Sequence, residues 1–274
     1  MEQEGPIDLS QPEISEFKKK INYTWEVGKH NLLCSEKLPM EESIRKTLFC
    51  YYKSHRPQFL LKPLKVEVAY TDPHIELYHG LIRNREIEYI KRRARPLLSR
   101  ATVHDPKTGN LTYANYRISK SAWLHPRKDP RVARLYKRMS LVTELDARSF
   151  EPLQIANYGL AGQYEPHYDH ADDKKKIKNF DLYGGNRVAT LLLYLSDVEL
   201  GGRTVFTKTG PGVIVAPSKG MGVFWYNLHR NGTGNNKTEH AACPIILGEK
   251  WISNIWIHEY HNEFTRKCTL NRNE

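Results

Sequence analysis

The sequence predicts an α+β fold, with helices first and a sandwich- or barrel-like sheet after them. Ahead of residue 150, apolar residues recur at spacings of three and four, as in Val132, Leu135, Met139 and Val142, which share one helical face. From Glu151 onward the texture changes to short apolar runs of strand length. Gly184-Gly185, Gly201-Gly202, Pro217–Gly220 and Asn231–Asn236 break them, the rhythm of a β sandwich or barrel. No internal repeat is visible. Helices that come first then pack on the outside of the sheet.

In chain order, residues 1–52 are polar and charged and read as an N-terminal helical extension, with helices expected over Ile14–Ile21 and Glu41–Tyr51. Pro57, Pro63 and Pro73 punctuate a connecting segment in which Leu64–Ala69 is a strand candidate. A helix is expected over Leu81–Leu98, with Asn84 as N-cap before Glu86-Ile87-Glu88. Asp105–Asn110 is turn chemistry, and Arg117–Leu124 returns to a strand pattern. Asp129–Leu145 carries the second strongly periodic helix. The strands expected after it are Leu153–Tyr158, Val188–Leu195, Gly212–Ala216, Gly222–Tyr226 and Trp251–His258.

Composition narrows the function. The chain has 274 residues, 39% of them hydrophobic, with 16 Tyr and 5 Trp, enough for a sizeable core. The net charge of +11 is scattered through runs such as Lys18-Lys19-Lys20, Lys91-Arg92-Arg93 and Lys174-Lys175-Lys176, with no nucleic-acid motif between them. These read as solvated faces, and no nucleic-acid partner is expected. Leu191–Leu195, the longest apolar run, is far too short to span a bilayer. The start, MEQEGPIDLS, lacks the basic and apolar stretches of a signal peptide, which by itself points to the cytosol. Sequons at Asn22, Asn110, Asn231 and Asn236 point the other way. Cys34, Cys50, Cys243 and Cys268 lack the close pairing of a zinc site. Spacing alone leaves two readings open, local disulfides in an oxidising compartment or four buried thiols.

The chemistry gathers around Ile155–His170, IANYGLAGQYEPHYDH. On an extended backbone His167 and Asp169 point the same way and Tyr168 points away. An imidazole and a carboxylate so placed fill two adjacent positions around an octahedral metal. A distant histidine would complete the two-histidine, one-carboxylate triad of non-haem Fe(II) oxygenases. His240 is the best candidate, because Lys250 follows on the next strand-like run. A 2-oxo acid co-substrate needs such a cation for its far carboxylate. Alternation sets Lys250, Ile252, Asn254, Trp256 and His258 on one face, and Thr190, Leu192 and Tyr194 on another. Tyr158 ends the strand that leads into the His-x-Asp loop. Singly, each has an ordinary reading as loop histidine, exposed lysine or core tyrosine. Their order along the chain gives the combination its specificity.

The segments LSRATVHDPKTG, YRISKSAWL, ANYGLAGQYEPHYD, GNRVATLLLYLSDV, GGRTVF, VFWYNL and HAACPIILGEKWISNIW resemble the catalytic region of the collagen prolyl 4-hydroxylase alpha subunit, a family of Fe(II)/2-oxoglutarate dioxygenases. The likeness runs from about Cys34 to Cys268. It implies a double-stranded β-helix, or jelly-roll, core with flanking N-terminal helices, and a catalytic domain over 53–274 behind the 1–52 extension. It implies Fe(II) on His167, Asp169 and His240, and 2-oxoglutarate on Lys250 with support from Tyr158, Thr190 and Tyr194. O2 and ascorbate would join the reaction. The substrate would be proline in procollagen-like, proline-rich peptides, in a groove lined by Tyr164, Arg187, Trp256 and His258. Strict alternation sets Arg187 opposite Thr190 unless the strand starts after it.

The resemblance also implies disulfides Cys34–Cys50 and Cys243–Cys268, an endoplasmic reticulum lumen and a protein disulfide isomerase partner. Full-length members carry a leader and an N-terminal dimerisation and peptide-binding region, so this chain reads as a short variant or an excised portion. Its end, Arg272-Asn273-Glu274, has no retention signal of the Lys-Asp-Glu-Leu type. Two other readings are a hydroxylase of non-collagen proline-rich proteins and a catalytically silent jelly roll that binds polyproline segments.

Overall fold

The computed structural model describes residues 25–35, 40–104, 111–171, 184–209 and 213–269. The helix expected over Ile14–Ile21, the sequon asparagines Asn22 and Asn110, two of the lysine runs and the 105–110 turn lie outside those residues. The longer helices are α1 (Trp25–Ser35), α2 (Asn84–Ala94) and α3 (Pro130–Thr143). The strands, in order, begin with β1 (Cys50–Lys53), β2 (Leu64–Thr71), β3 (His74–His79), β4 (Ser99–Arg100), β5 (Val103–His104) and β6 (Leu111–Thr112). Then come β7 (Arg117–Ile118), β8 (Lys120–Leu124), β9 (Leu153–Tyr158), β10 (Gln163–His167), β11 (Arg187–Tyr194) and β12 (Leu200–Gly201). The last are β13 (Thr204–Phe206), β14 (Ile214–Val215), β15 (Gly222–Tyr226), β16 (His240–Ala242), β17 (Ile245–Leu247) and β18 (Lys250–His258).

Nine strands make the larger sheet, in the order β1-β2-β3-β15-β11-β18-β9-β8-β4, and five make the smaller one, β14-β13-β16-β10-β7. Together they form the jelly roll, with helices packed on the larger sheet. Strand β11 shows why. Ala189, Leu191 and Leu193 join Ile87, Ile90, Leu135 and Met139 of the helices in one core, while Leu192 and Tyr194 enter a second core between the sheets. A strand covered on both faces reads as a continuous apolar run, which is what residues 188–195 show. Each fully buried leucine contributes about 1.5–3 kcal/mol.

Helix α3 starts where expected. Asp129 accepts from the Arg131 and Val132 N–H groups at 2.9 and 3.4 Å, and Pro130 has no N–H to satisfy. Helix α2 is capped differently from expectation. Asn84 is its first helical residue, and the carboxylate of Glu86 reaches back to accept from the Arg83 N–H at 3.0 Å. The helix expected over Glu41–Tyr51 shrinks to one turn, Glu42–Arg45. Cys50–Lys53 instead pairs with β2, from Cys50 opposite Glu67 to Lys53 opposite Leu64, because sheet pairing overrides weak local propensity. β1 thus runs across residue 52.

The cysteine pairing is corrected. Cys34 bonds Cys243, with Cα atoms 5.4 Å apart, rather than Cys50, and Cys50 and Cys268 are exposed free thiols. The cause is tertiary. Leu33 packs with Val205 and Ala241 of the smaller sheet, and Arg203 donates to the Cys34 carbonyl at 3.1 Å. Cys50 is carried off on β1, at the edge of the larger sheet.

Candidate active site

β10 and β16 run antiparallel with His167 directly opposite His240, and this register places the two imidazoles side by side, tilted by 54° with ring centroids 4.4 Å apart. Asp169 follows two residues after His167. Its Oδ1 lies 3.9 Å from His167 Nε2, and its Oδ2 lies 3.7 Å from His240 Nε2. One ligand atom from each residue falls within 4.8 Å of the others. His167 Nδ1 donates to the Glu165 carbonyl at 2.8 Å and His240 Nδ1 to the Thr238 carbonyl at 3.0 Å, which leaves both Nε2 lone pairs aimed at the shared space. Burial, with His240 alongside, keeps the His167 imidazole neutral well below its ordinary pKa. Burial pushes the Asp169 carboxyl up, but His240, His167, Arg187 and the Thr190 hydroxyl outweigh it and hold it ionised. Two imidazoles and a carboxylate are a donor set that suits a divalent iron-type ion.

Thr190 stands in a different place from the one expected of it. Its hydroxyl donates to Asp169 Oδ2 at 2.8 Å and accepts from Asn227 Nδ2 at 2.9 Å, while Asn227 accepts from Trp225 Nε1 at 2.7 Å. This chain orients the carboxylate. Asn227 and Trp225 carry no role in the sequence reading, although both fall inside the segment VFWYNL.

Lys250 opens β18 and has no exposed surface. It lines the same cavity as the triad, with Tyr158, Leu192, Thr204 and Ile252. Its Nζ donates to Thr204 Oγ1 at 3.3 Å, which also accepts from the Tyr194 hydroxyl at 2.7 Å. The ammonium lies 5.8 and 5.6 Å from the ring centres of Tyr158 and Tyr194. No carboxylate pairs with it among the described residues, and burial pulls its pKa down to about 7. A carboxylate brought to this position would relieve that penalty. The residues present therefore fit a carboxylate-bearing co-substrate as well as a metal.

Tyr164 and Trp256 flank the cavity. The Tyr164 ring stacks on His167 at 3.6 Å, and the Arg117 guanidinium lies 4.8 Å from its centre. Arg117, missed in the sequence, is buried and donates to the Thr102 carbonyl and to Gln154. Arg187 reaches this side because the β11–β18 register shifts between Arg187 and Ala189, a bulge that resets the alternation. Its guanidinium lies 3.8 Å from the centre of the Trp256 ring and grips buried Glu151 through two bonds of 2.5 and 3.1 Å. His258 is fully buried, bonded to Glu151 at 2.9 Å and the Gly185 carbonyl at 2.7 Å, so it braces Glu151 instead of facing a groove.

The sequence model of the 2OG-Fe(II) oxygenase superfamily matches residues 153–258. The chain is 48% identical over 263 residues to prolyl 4-hydroxylase subunit alpha-1 of Rattus norvegicus, covering 94% of this chain and 49% of that protein. It is 46% identical over 255 residues to prolyl 4-hydroxylase subunit alpha-2 of Gallus gallus, covering 92% and 47%. The chain thus spans about half the length of these relatives. Among solved structures, the viral collagen prolyl hydroxylase of Paramecium Bursaria Chlorella virus-1, in its 2OG complex, matches with a TM-score of 0.51 at 24% identity. That match covers 67% of this chain and 94% of the viral one, and it speaks to the fold.

Proposed function

We propose, from the premise that this chain belongs to the 2OG-Fe(II) oxygenase superfamily, that it 4-hydroxylates proline in procollagen-like, proline-rich peptides at the expense of 2-oxoglutarate and O2. The observation that carries the reading is the convergence of His167, Asp169 and His240 in one cavity with a buried lysine that has no carboxylate partner among the described residues. The names of the relatives support the choice of proline.

In this reading His167 Nε2, His240 Nε2 and an Asp169 oxygen hold Fe(II), which when bound with 2-oxoglutarate supplies the oxidising chemistry. Lys250 and Thr204 receive the far carboxylate, with the phenols of Tyr158 and Tyr194 closing around it. Thr190 and Asn227 keep Asp169 turned toward the metal. Tyr164 and Trp256 offer flat surface to a rigid proline ring, which loses little entropy on docking. Arg187, held by Glu151 and His258, donates to a backbone carbonyl of the peptide. The catalytic unit is residues 53–274, with 1–52 an extension fastened by β1 and Cys34. Ascorbate as reductant, the endoplasmic reticulum lumen, protein disulfide isomerase as partner and sugar on a sequon such as exposed Asn236 belong to the same proposal.

The test is a peptide panel that sets Pro-Pro-Gly repeats against other proline-rich sequences, with iron, 2-oxoglutarate and ascorbate, read by mass for one added oxygen. Repeats should gain it together with succinate release, and His167→Ala should lose both while staying folded. Folded His167→Ala with full turnover would sink the assignment. A silent binder would take up peptide equally with and without iron.

A further inference from the structure

The far side of the larger sheet holds a second cleft, of about 420 Å³, between α2 and α3. These helices run antiparallel, since Tyr89 in the middle of α2 bonds Asp129 at the head of α3, while Arg138 in the body of α3 bonds Glu86 near the head of α2. Ile90, Val132 and Leu135 form its buried floor.

The walls are strongly basic. The acidic groups in or beside the cleft are already committed. Glu86 takes a two-pronged bond from Arg138 at 2.7 and 3.0 Å. Asp129 caps α3 and accepts from the Tyr89 hydroxyl at 2.7 Å. Arg85, Arg131 and Arg134 are exposed in the cleft, and none makes an ion pair among the described residues. Exposed Arg92 and Lys137 extend the same charge along the two helices, while Arg93 pairs with Asp129 at 3.7 Å. Part of the scattered positive charge thus gathers on one helical layer once the chain folds.

We propose that this cleft docks an acidic peptide segment of a partner protein, with neighbouring Asp or Glu carboxylates taken by Arg85, Arg131 and Arg134. Planar guanidinium forks match carboxylates in a two-pronged geometry. The lining of α2 runs from Arg85 to Ile90, about 8 Å along the axis at ~1.5 Å per residue. That is the reach of two or three extended residues, so the carboxylates must stand close together. Single-stranded nucleic acid fits less well, because it needs open aromatic faces for base stacking. Tyr89 is the aromatic in the lining, and the Arg131 and Arg92 guanidinium groups lie 4.3 and 5.6 Å from its ring centre.

The experiment uses the whole chain and a fluorescein-labelled peptide with a block of five Glu and Asp residues, read by anisotropy beside a labelled oligothymidylate. Both are compared for the parent, the charge reversal R85E/R131E/R134E and the milder R85Q/R134Q. The parent should bind the acidic peptide, with affinity falling as salt rises from about 50 to about 300 mM. The reversal should cost at least about tenfold and the neutral pair about threefold. Turnover of the proline peptide should be unchanged, because none of these arginines lies near the metal cavity, and unchanged turnover also shows that the variants fold. Absent peptide binding in the parent, peptide affinity unmoved by both variants, or oligothymidylate bound more tightly through the same arginines would each overturn the proposal.

Discussion

Lys250 brings a positive charge to a place where no described carboxylate balances it, and its behaviour should expose what the cavity is for. The folded protein sheds this proton near pH 7, whereas the unfolded chain holds it to the ordinary lysine value of 10.5. Between those values the unfolded state binds the extra proton, so this group makes ligand-free stability rise with pH across that window and leaves it lowest below about 7. Affinity for a dicarboxylate should run the opposite way, because only the ammonium attracts it. With a redox-inert divalent ion in place, calorimetry should show full affinity below about pH 7 and a fall approaching about tenfold per pH unit above it. Flat affinity across that range would remove Lys250 from the co-substrate site. Lys250→Ala should raise the KM for 2-oxoglutarate on the order of a hundredfold, the equivalent of about 3 kcal/mol, with a much smaller effect on peptide KM. Both histidines of the proposed metal site, the aspartate and this lysine were legible in the sequence, because each is a reactive residue type on a short strand or its flank. Thr204, Asn227 and Glu151 were not, since a threonine or a glutamate becomes informative only when its partner is known.

At the scale of elements, α3 and the central strands followed their patterns closely, whereas the N-terminal segment did not. Periodicity succeeds where one face is buried over three turns or where both faces of a strand are covered. It fails for pieces of three or four residues such as β16 and β1, whose structure depends on the neighbour they meet. β11 is the most constrained of these elements, lying between β15 and β18 with helices on one side and the cavity lined by the His167, Asp169 and His240 triad on the other. Leu193 faces the helices and is fully buried. Leu193→Ala should therefore destabilise the fold by about 2–5 kcal/mol, measured by urea unfolding. The KM for 2-oxoglutarate in the surviving folded fraction should stay near that of the parent, because Leu192 and Tyr194, not Leu193, face the cavity side.

Across the whole molecule, the Cys34–Cys243 bond joins α1 to the end of β16, three residues from His240, and closes a loop of 209 residues. Peptide mapping without reductant should recover a Cys34–Cys243 linked pair, and a Cys34–Cys50 pair would contradict this topology. C34S/C243S should lose about 2–4 kcal/mol of stability, seen as a lower Tm that no longer responds to reductant. The sequence by itself determined the fold class, the strand-rich second half, the His-x-Asp loop and the lysine that follows the second histidine. Side-chain alternation and residue chemistry are local properties, and they survive translation from chain to structure. Tertiary structure alone decided which cysteines meet, how a bulge turns Arg187 toward Trp256, why Thr190 serves Asp169, and where the scattered arginines collect. Each of those depends on which distant segments become neighbours, and that is set by the pairing of whole strands and the packing of helices, not by spacing along the polymer.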